Sequence, residues 1–375
     1  MLVRNVSTVI VSLTLICPFL FSVVGGLIGL YMPSFIPVVI MSLAIIMVGL
    51  GFKNHYYISL KIAVSSIFLF MFLLWFYLSS SYSVSVLYAE SKMVYLAYNT
   101  VLPIMIIALA NWLFPNGPID IKFLVRLTFI SSIIILLLLL VFGGASETGR
   151  VSVAGVDNPI WISRFFGMNL LIMLLGHDWG RKKLVFILSV VACLWGLILS
   201  GSRTPLIALV AVLSIYMVRR YNFTLVFCFL LFMIGVYLLG VAFSNNYIFD
   251  VNFYSVYHRI EYFTKAIATN WDPLIGFGLG AFGPVILGED VMFYPHNLVI
   301  EIIFEMGLIG GALFFILFIL FVRKFSGSIF DYLFIYYLML SMASGDMPGN
   351  NFVFILFFCS YIFKSGTVLE SKNAR

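Results

Sequence analysis

Residues 294–310 read YPHNLVIEIIFEMGLIG, and the reading of this stretch decides the fold. From Leu298 onward it is apolar enough for a membrane helix, yet His296, Asn297, Glu301 and Glu305 stand at its opening. Asn297, Glu301 and Glu305 recur at i, i+4 and i+8, which stacks them on one helical face. Two carboxylates one and two turns inside a membrane helix demand a wet cavity or a cationic partner, because an isolated charge in hydrocarbon is costly. His296, at the surface end, is the residue type best suited to act as a general base at neutral pH. A plainer reading stays open beside this one: a histidine that caps its helix, and glutamates paired with Arg203 or Arg259 for structure alone.

The surrounding chain fits a membrane setting. Of its 375 residues 63% are hydrophobic and only 10% charged, and the mean hydropathy is +1.14. Those values exclude a soluble globular protein. Apolar runs of about 17–25 residues, the length that crosses a hydrocarbon core, recur from end to end. Breaks at Gly, Pro, Asn and charge clusters predict twelve spans, near 6–24, 35–52, 58–78, 93–113, 121–142, 158–176, 183–199, 204–219, 222–243, 296–322, 329–344 and 350–364. The expected fold is therefore all-α and polytopic, one integral membrane domain over residues 1–375. The first run has an Arg4 flank like a signal peptide, but no small-residue cleavage site follows, so it reads as a retained helix. Cys17, Cys193, Cys228 and Cys359 each lie alone in an apolar run, which suits buried thiols rather than a disulfide or zinc framework.

Charge then orients the chain. With a cytoplasmic N-terminus, fifteen of the twenty-one basic residues fall in inside loops and eleven of the fifteen carboxylates fall outside. The positive-inside rule favours this arrangement, with both termini cytoplasmic. It also accounts for the net charge of +6 without nucleic acid. The outer face keeps one long loop, residues 244–295, and a medium one, residues 143–158. In the long loop Phe253, Val256, Tyr257, Ile260, Phe263 and Ile267 follow helical spacing, and Glu261 with Lys265 forms an i,i+4 pair off that stripe. This predicts an amphipathic helix lying on the membrane surface.

Six basic residues remain outside against the topological trend: Lys92, Arg150, Arg164, Arg203, Arg259 and Lys265. Arg203 lies in SGSRTP, where Thr204 suits a helix cap and Pro205 a first turn. A guanidinium beside a helix N-terminus suits a phosphate, although a lipid headgroup contact would look the same. Arg259, in YHRIEYF, carries the same two readings. Arg150 and Arg164 flank the sixth expected span, and Arg164 lies inside it, which is expensive unless it faces a polar cavity. Lys92, with Glu90, and Lys265 read as surface charges. The glycine-rich IGFGLGAFG, Ile275–Gly283, lacks the strand context of a dinucleotide site and reads as a flexible loop gating a site. No metal-ligand spacing stands near His296.

Taken in order, LSGSRTPLIALV, YHRIEYFTKAIATNWDPLIGFGLGAFG and PHNLVIEIIFEMGLIG resemble the O-antigen polymerase and O-antigen ligase superfamily (Wzy and WaaL). The resemblance is specific over residues 196–311. It implies a bacterial inner-membrane glycosyltransferase of the GT-C type, working on the periplasmic face with undecaprenyl-diphosphate-linked glycans as donor and acceptor. It further implies that Arg203 and Arg259 hold the diphosphate, that His296 serves acceptor activation or diphosphate contact, and that neither metal nor nucleotide sugar is needed. Arg164, Arg150, Asn297 and Glu301 are the further candidates for substrate contact, and a chain-length regulator is a candidate partner. The PHN sequence departs from the HxHN form of some ligases, which favours the polymerase. A flippase or transporter of lipid-linked glycan is the reading from another class, and it expects internal repeats and broken helices with charges near the bilayer midplane.

Overall fold

Residues 2–27, 60–113, 119–145, 151–153, 159–176, 183–220, 253–269 and 272–363 are described by a computed structural model. Their contacts gather into two compact units. One comprises Met1–Val11, Phe35–Ile119 and Asn252–Gly366, and the other Ser12–Ser34, Asp120–Val251 and Thr367–Arg375. The expected spans 35–52 and 222–243, and Arg150, lie outside the described residues.

Almost all regular structure is helical. Helix α1 (Leu2–Leu27) opens the chain and continues from one unit into the other. The first unit holds α2 (Leu60–Ser79), α3 (Leu87–Leu96), a π-helical turn (Ala97–Val101) and α4 (Leu102–Leu113). In the second unit lie α5 (Ile121–Phe142), a short antiparallel ladder of β1 (Gly143–Ala145) and β2 (Val151–Val153), α6 (Pro159–Gly176), α7 (Lys183–Leu199) and α8 (Arg203–Arg220). The first unit resumes with α9 (Phe253–Ala268), α10 (Phe282–Leu287), α11 (Leu298–Lys324), α12 (Ile329–Ser341), a 3₁₀ turn (Pro348–Asn350) and α13 (Asn351–Ile362).

Among the described residues, five stretches are long and apolar enough to cross a membrane: Val6–Val24, Leu87–Asn111, Ile121–Phe142, Pro159–Gly176 and Leu298–Lys324. Apolar side chains also line exposed helix faces. Leu137, Leu140 and Val141 of α5, and Ile187, Leu188 and Val191 of α7, are exposed large aliphatics, which suits lipid as the surrounding solvent. In the second unit α6 is buried along most of its length, and its Asn169 donates to Ser132 Oγ on α5 at 2.7 Å. Such a bond between membrane helices removes a polar group from hydrocarbon.

Helix α11 departs from the continuous span expected over 296–322. At Gly307 the backbone turns to φ 67°, ψ −167°, so the helix is two pieces, a short one over 298–306 and a longer one over 308–324. A break strips the flanking carbonyls and N–H groups of their partners within the helix, and in an apolar setting each must be satisfied elsewhere. The glycine-rich segment does this. Phe277 and Gly278 donate their N–H groups to the carbonyls of Phe304 and Glu305 at 3.0 and 2.9 Å. Leu308 and Ile309 donate to Pro273 and Leu274 at 2.9 and 3.2 Å, and Trp75 Nε1 donates to Met306 O at 2.9 Å.

On its other side the same segment meets the turn after α2. Leu279 N donates to Ser79 O at 3.2 Å, Val84 N to Phe277 O at 3.3 Å, and Tyr82 Oη to Ile275 O at 2.8 Å. Gly278 has φ 87°, and a Cβ there would fall onto the Ser83 backbone. The expectation of a flexible gate over Ile275–Gly283 is thus corrected. The glycines serve close backbone approach on two sides, and the segment is an interlock.

The amphipathic helix expected in the long loop is present as α9. Glu261 Oε1 receives Lys265 Nζ at 2.9 Å, as the i,i+4 spacing predicts. Ala266 and Tyr262 pack on a cluster of Ala281, Phe282 and Phe304, while Tyr257, Ile260, Phe263 and Ile267 are 42–67% exposed. The apolar stripe therefore points away from the protein.

Candidate functional site

His296 stands at the mouth of the short piece of α11. Among the described residues it is the one non-glycine with positive φ, 57°, a left-handed conformation that costs an ordinary residue about 1–2 kcal/mol. The next residue explains why the chain accepts this. Asn297 caps α11, its Oδ1 accepting from Val299 N and Ile300 N at 3.1 Å each, while its Nδ2 donates to Met342 O at the end of α12, also at 3.1 Å. Pro295 is buried on the other side of His296. The His296 ring meets the Tyr294 ring edge-on with centroids 4.7 Å apart.

The electrostatic setting of His296 has three contributions. Partial burial disfavours the imidazolium, the charge of Arg259 opposes it further, and Asp346 favours it. Their sum holds the ring below the usual imidazole pKa, so it is neutral and ready to accept a proton at physiological pH. Asp346 lies in the SGDMPGNN loop before α13 and is 8% exposed. It accepts from Tyr88 Oη at 2.9 Å and from Gly349 N at 3.0 Å.

One to two turns into α11 the carboxylates meet their partner. Lys92 Nζ lies 2.5 Å from Glu301 Oε1 and 2.7 Å from Glu305 Oε1, and all three side chains are fully buried. The Tyr88 ring sits 4.8 Å from the same ammonium. This corrects the reading of Lys92 as a surface charge. Helix α3 begins at Leu87, well before the span edge expected at 93, and so carries Lys92 inside the helix and against α11. Sequence reasoning recognised that Glu301 and Glu305 need a cation but looked among the outer arginines. The signal that would have found it was a lone lysine at the head of an apolar run, facing two carboxylates with no partner.

The start of α3 is itself pinned to the loop that leads into His296. Asp290 accepts from Ser85 Oγ at 2.6 Å and from Val86 N and Leu87 N at 2.9 and 3.0 Å. Those bonds hold its carboxyl below the usual range, the Ser85 hydroxyl contributing most. Asp290 and Asp346 were both missed in sequence, because loop carboxylates on an outer face look like ordinary solvated charges.

The remaining candidates divide between the units. Arg259, on α9, is half-buried and belongs with His296, Asn297 and Glu301 to the first unit. Arg203 is the first residue of α8, one position earlier than the cap expected at Thr204, and is half-buried in the second unit. Arg164, expected inside the sixth span, is 1% exposed on α6, with its guanidinium 5.5 Å from the Trp161 ring centroid. Among the described residues no group of three His, Cys, Asp or Glu side chains is arranged to hold a metal ion.

Residues 188–315 match a protein-family model described as O-antigen ligase, Wzy_C. The match supports the O-antigen polymerase and ligase superfamily and contains Arg203, Arg259, His296, Asn297 and Glu301. No curated protein matches the chain.

Proposed function

We propose that this protein is an integral membrane polymerase that joins undecaprenyl-diphosphate-linked repeat units of a surface polysaccharide, with its site on the periplasmic face of the bacterial inner membrane. The observation that carries this reading is His296: a ring held neutral beside Arg259, in a strained left-handed backbone, inside the family-matched region. Strain of this kind concentrates at functional sites.

The reaction is an inverting transfer. An acceptor sugar hydroxyl attacks C1 of the donor sugar, the bond from C1 to the phosphate oxygen breaks, and the diphosphate leaves with the electron pair. His296 takes the hydroxyl proton. Arg259 and Arg203, the latter with the N-terminus of α8, stabilise the charge that grows on the leaving diphosphate. Lys92, Glu301 and Glu305 are closed to solvent and serve to hold the short piece of α11, and with it His296, in place.

A second reading is favoured by the description of the matched model: a ligase that transfers the finished glycan to a lipid A core sugar. Deleting the gene and resolving the surface polysaccharide on a gel separates the two. Lipid core bearing single repeat units is the expected result, and lipid core bearing none would establish the ligase instead. Unchanged long polymer would overturn both. The break in α11 beside buried charges is a feature also expected of transporters. Reconstituted protein distinguishes that case, since transfer changes glycan length and transport changes only sidedness.

A further inference from the structure

The donors and acceptors around Lys92 do not come out even. Lys92 Nζ donates to Glu301 Oε1 at 2.5 Å and to both oxygens of Glu305 at 2.7 and 2.9 Å. An ammonium has three N–H groups, and these contacts use all of them. Two carboxylates present four oxygens, so one is left over. It is Glu301 Oε2, which is buried and has no hydrogen-bond partner among the described residues.

The charges leave the same remainder. One ammonium against two ionised carboxylates leaves a net charge of −1, in a place where all three side chains are 0% exposed. The groups that act on Glu301 are Lys92 and Tyr88 from α3, Glu305 on its own helix, and Asp346 from the loop before α13. Lys92 supplies the positive charge among them, while Asp346, fixed by Tyr88 Oη and Gly349 N, adds a further negative one. A buried carboxylate without full pairing takes up a proton rather than bear the cost of desolvation. The two glutamates are not equivalent in this respect. Glu305 is held at both oxygens by Lys92 and also receives the Gly280 N–H from the interlock. Glu301 receives Lys92 at one oxygen, and its other oxygen is bare. Donors favour the ionised form, so Glu305 keeps the charge.

We infer that this cluster is a proton-binding site: Glu301 is a neutral carboxylic acid with its proton on Oε2, and Lys92 and Glu305 form the ion pair beside it. An acid O–H then replaces a bare anionic oxygen, and the trio becomes neutral. The first turns of α11 can therefore lie in an apolar setting without net charge. The field at His296 is left to Arg259 and Asp346.

The test is infrared spectroscopy of the full chain at neutral pH in dodecyl maltoside, a detergent without ester carbonyls. Wild-type protein should show the C=O stretch of a protonated carboxylic acid, and Glu301→Gln should lose it. In the wild type, glutamate labelled with heavy carbon in its side-chain carboxyl should shift the same band, which identifies the acid without any substitution. Absence of the band from the wild type, its survival in Glu301→Gln, or its indifference to labelled glutamate would each overturn the proposal. Melting separates the two glutamates. Glutamine has the shape of a neutral glutamic acid and can accept from Lys92 while the Lys92–Glu305 pair stays intact, so Glu301→Gln should melt with the wild type. Glu305→Gln turns an amide N–H group toward the Lys92 and Gly280 donors and should melt lower. Equal melting of the two variants, or the reverse order, would contradict the assignment of the proton to Glu301. The band is read without turnover, so the site stands or falls independently of glycan transfer.

Discussion

Ionisable side chains stand at the mouth of the short piece of α11 and one to two turns inside it, and the two levels are built in opposite ways. At the Glu301 and Glu305 level all three side chains are enclosed, and both carboxylates reach Lys92 at hydrogen-bond distance. At the His296 level the side chain is half-buried, its backbone is strained, and its neighbours Arg259 and Asp346 act on it in opposite directions. Enclosure with a partner fixes geometry, whereas partial exposure with opposed fields leaves a group free to exchange a proton. The buried carboxylates are thus architectural, and the proposed chemistry is assigned to His296, at the mouth of the helix.

Breaking the enclosed level should have the largest effect. Lys92→Met leaves two buried carboxylates without their cation and should cost about 3–5 kcal/mol. That is a large share of a total stability of about 5–15 kcal/mol, and it should show as loss of monodisperse protein in detergent. The neutral combination Lys92→Met with Glu301→Gln and Glu305→Gln should recover most of it, since it removes the uncompensated charge. Wild-type stability for the single variant would show that the ion cluster holds nothing.

At the upper level the effect should fall on rate and spare folding. His296→Ala should lower turnover by about 10²–10⁴-fold with unchanged melting; in the second unit, Arg203→Ala should lower it by about 10²–10³-fold, also with unchanged melting. Undiminished turnover of His296→Ala would remove that residue from the base role.

The interlock tests the architecture at the break in α11, at and beyond the Glu305 level. Gly278→Ala forces a Cβ into the Ser83 backbone at positive φ and should destabilise by about 1–3 kcal/mol. A gate, by contrast, would tolerate the methyl and change only the rate. The smallest effect separates strain from chemistry at one residue. His296→Gly should be more stable than His296→Ala by about 1 kcal/mol, because glycine adopts the left-handed backbone freely, and both should show the same loss of turnover. Equal stability would show that the conformation is unstrained.

Much of the helical frame was legible. The spans expected at 121–142 and 183–199 coincide with α5 and α7, because their ends are marked by charges or glycine beside continuous apolar runs. Helix α9 and its Glu261–Lys265 pair followed from periodicity alone. What escaped was non-local. A glycine in EMGLIGG does not announce a helix break, since the break exists only because a segment some thirty residues upstream supplies its hydrogen bonds. The partnership of Lys92 with Glu301 spans 209 residues of chain. At the site, the type and place of His296 were readable, but its strained backbone and the field from Asp346 come from loops whose approach no local pattern encodes.

The central claim is that His296 acts as the base, tuned by the two charges around it. The direct measurement is the pH dependence of kcat/KM for glycan extension by reconstituted protein. A base must be deprotonated, so the rate should fall as pH drops through the pKa of His296, with a limb below the ordinary imidazole value. Arg259→Gln removes a charge that lowers this pKa and should move the limb to higher pH, while Asp346→Asn removes one that raises it and should move the limb lower. Opposite displacements in the two variants are the result expected, and a limb that stays in place in both would contradict the account.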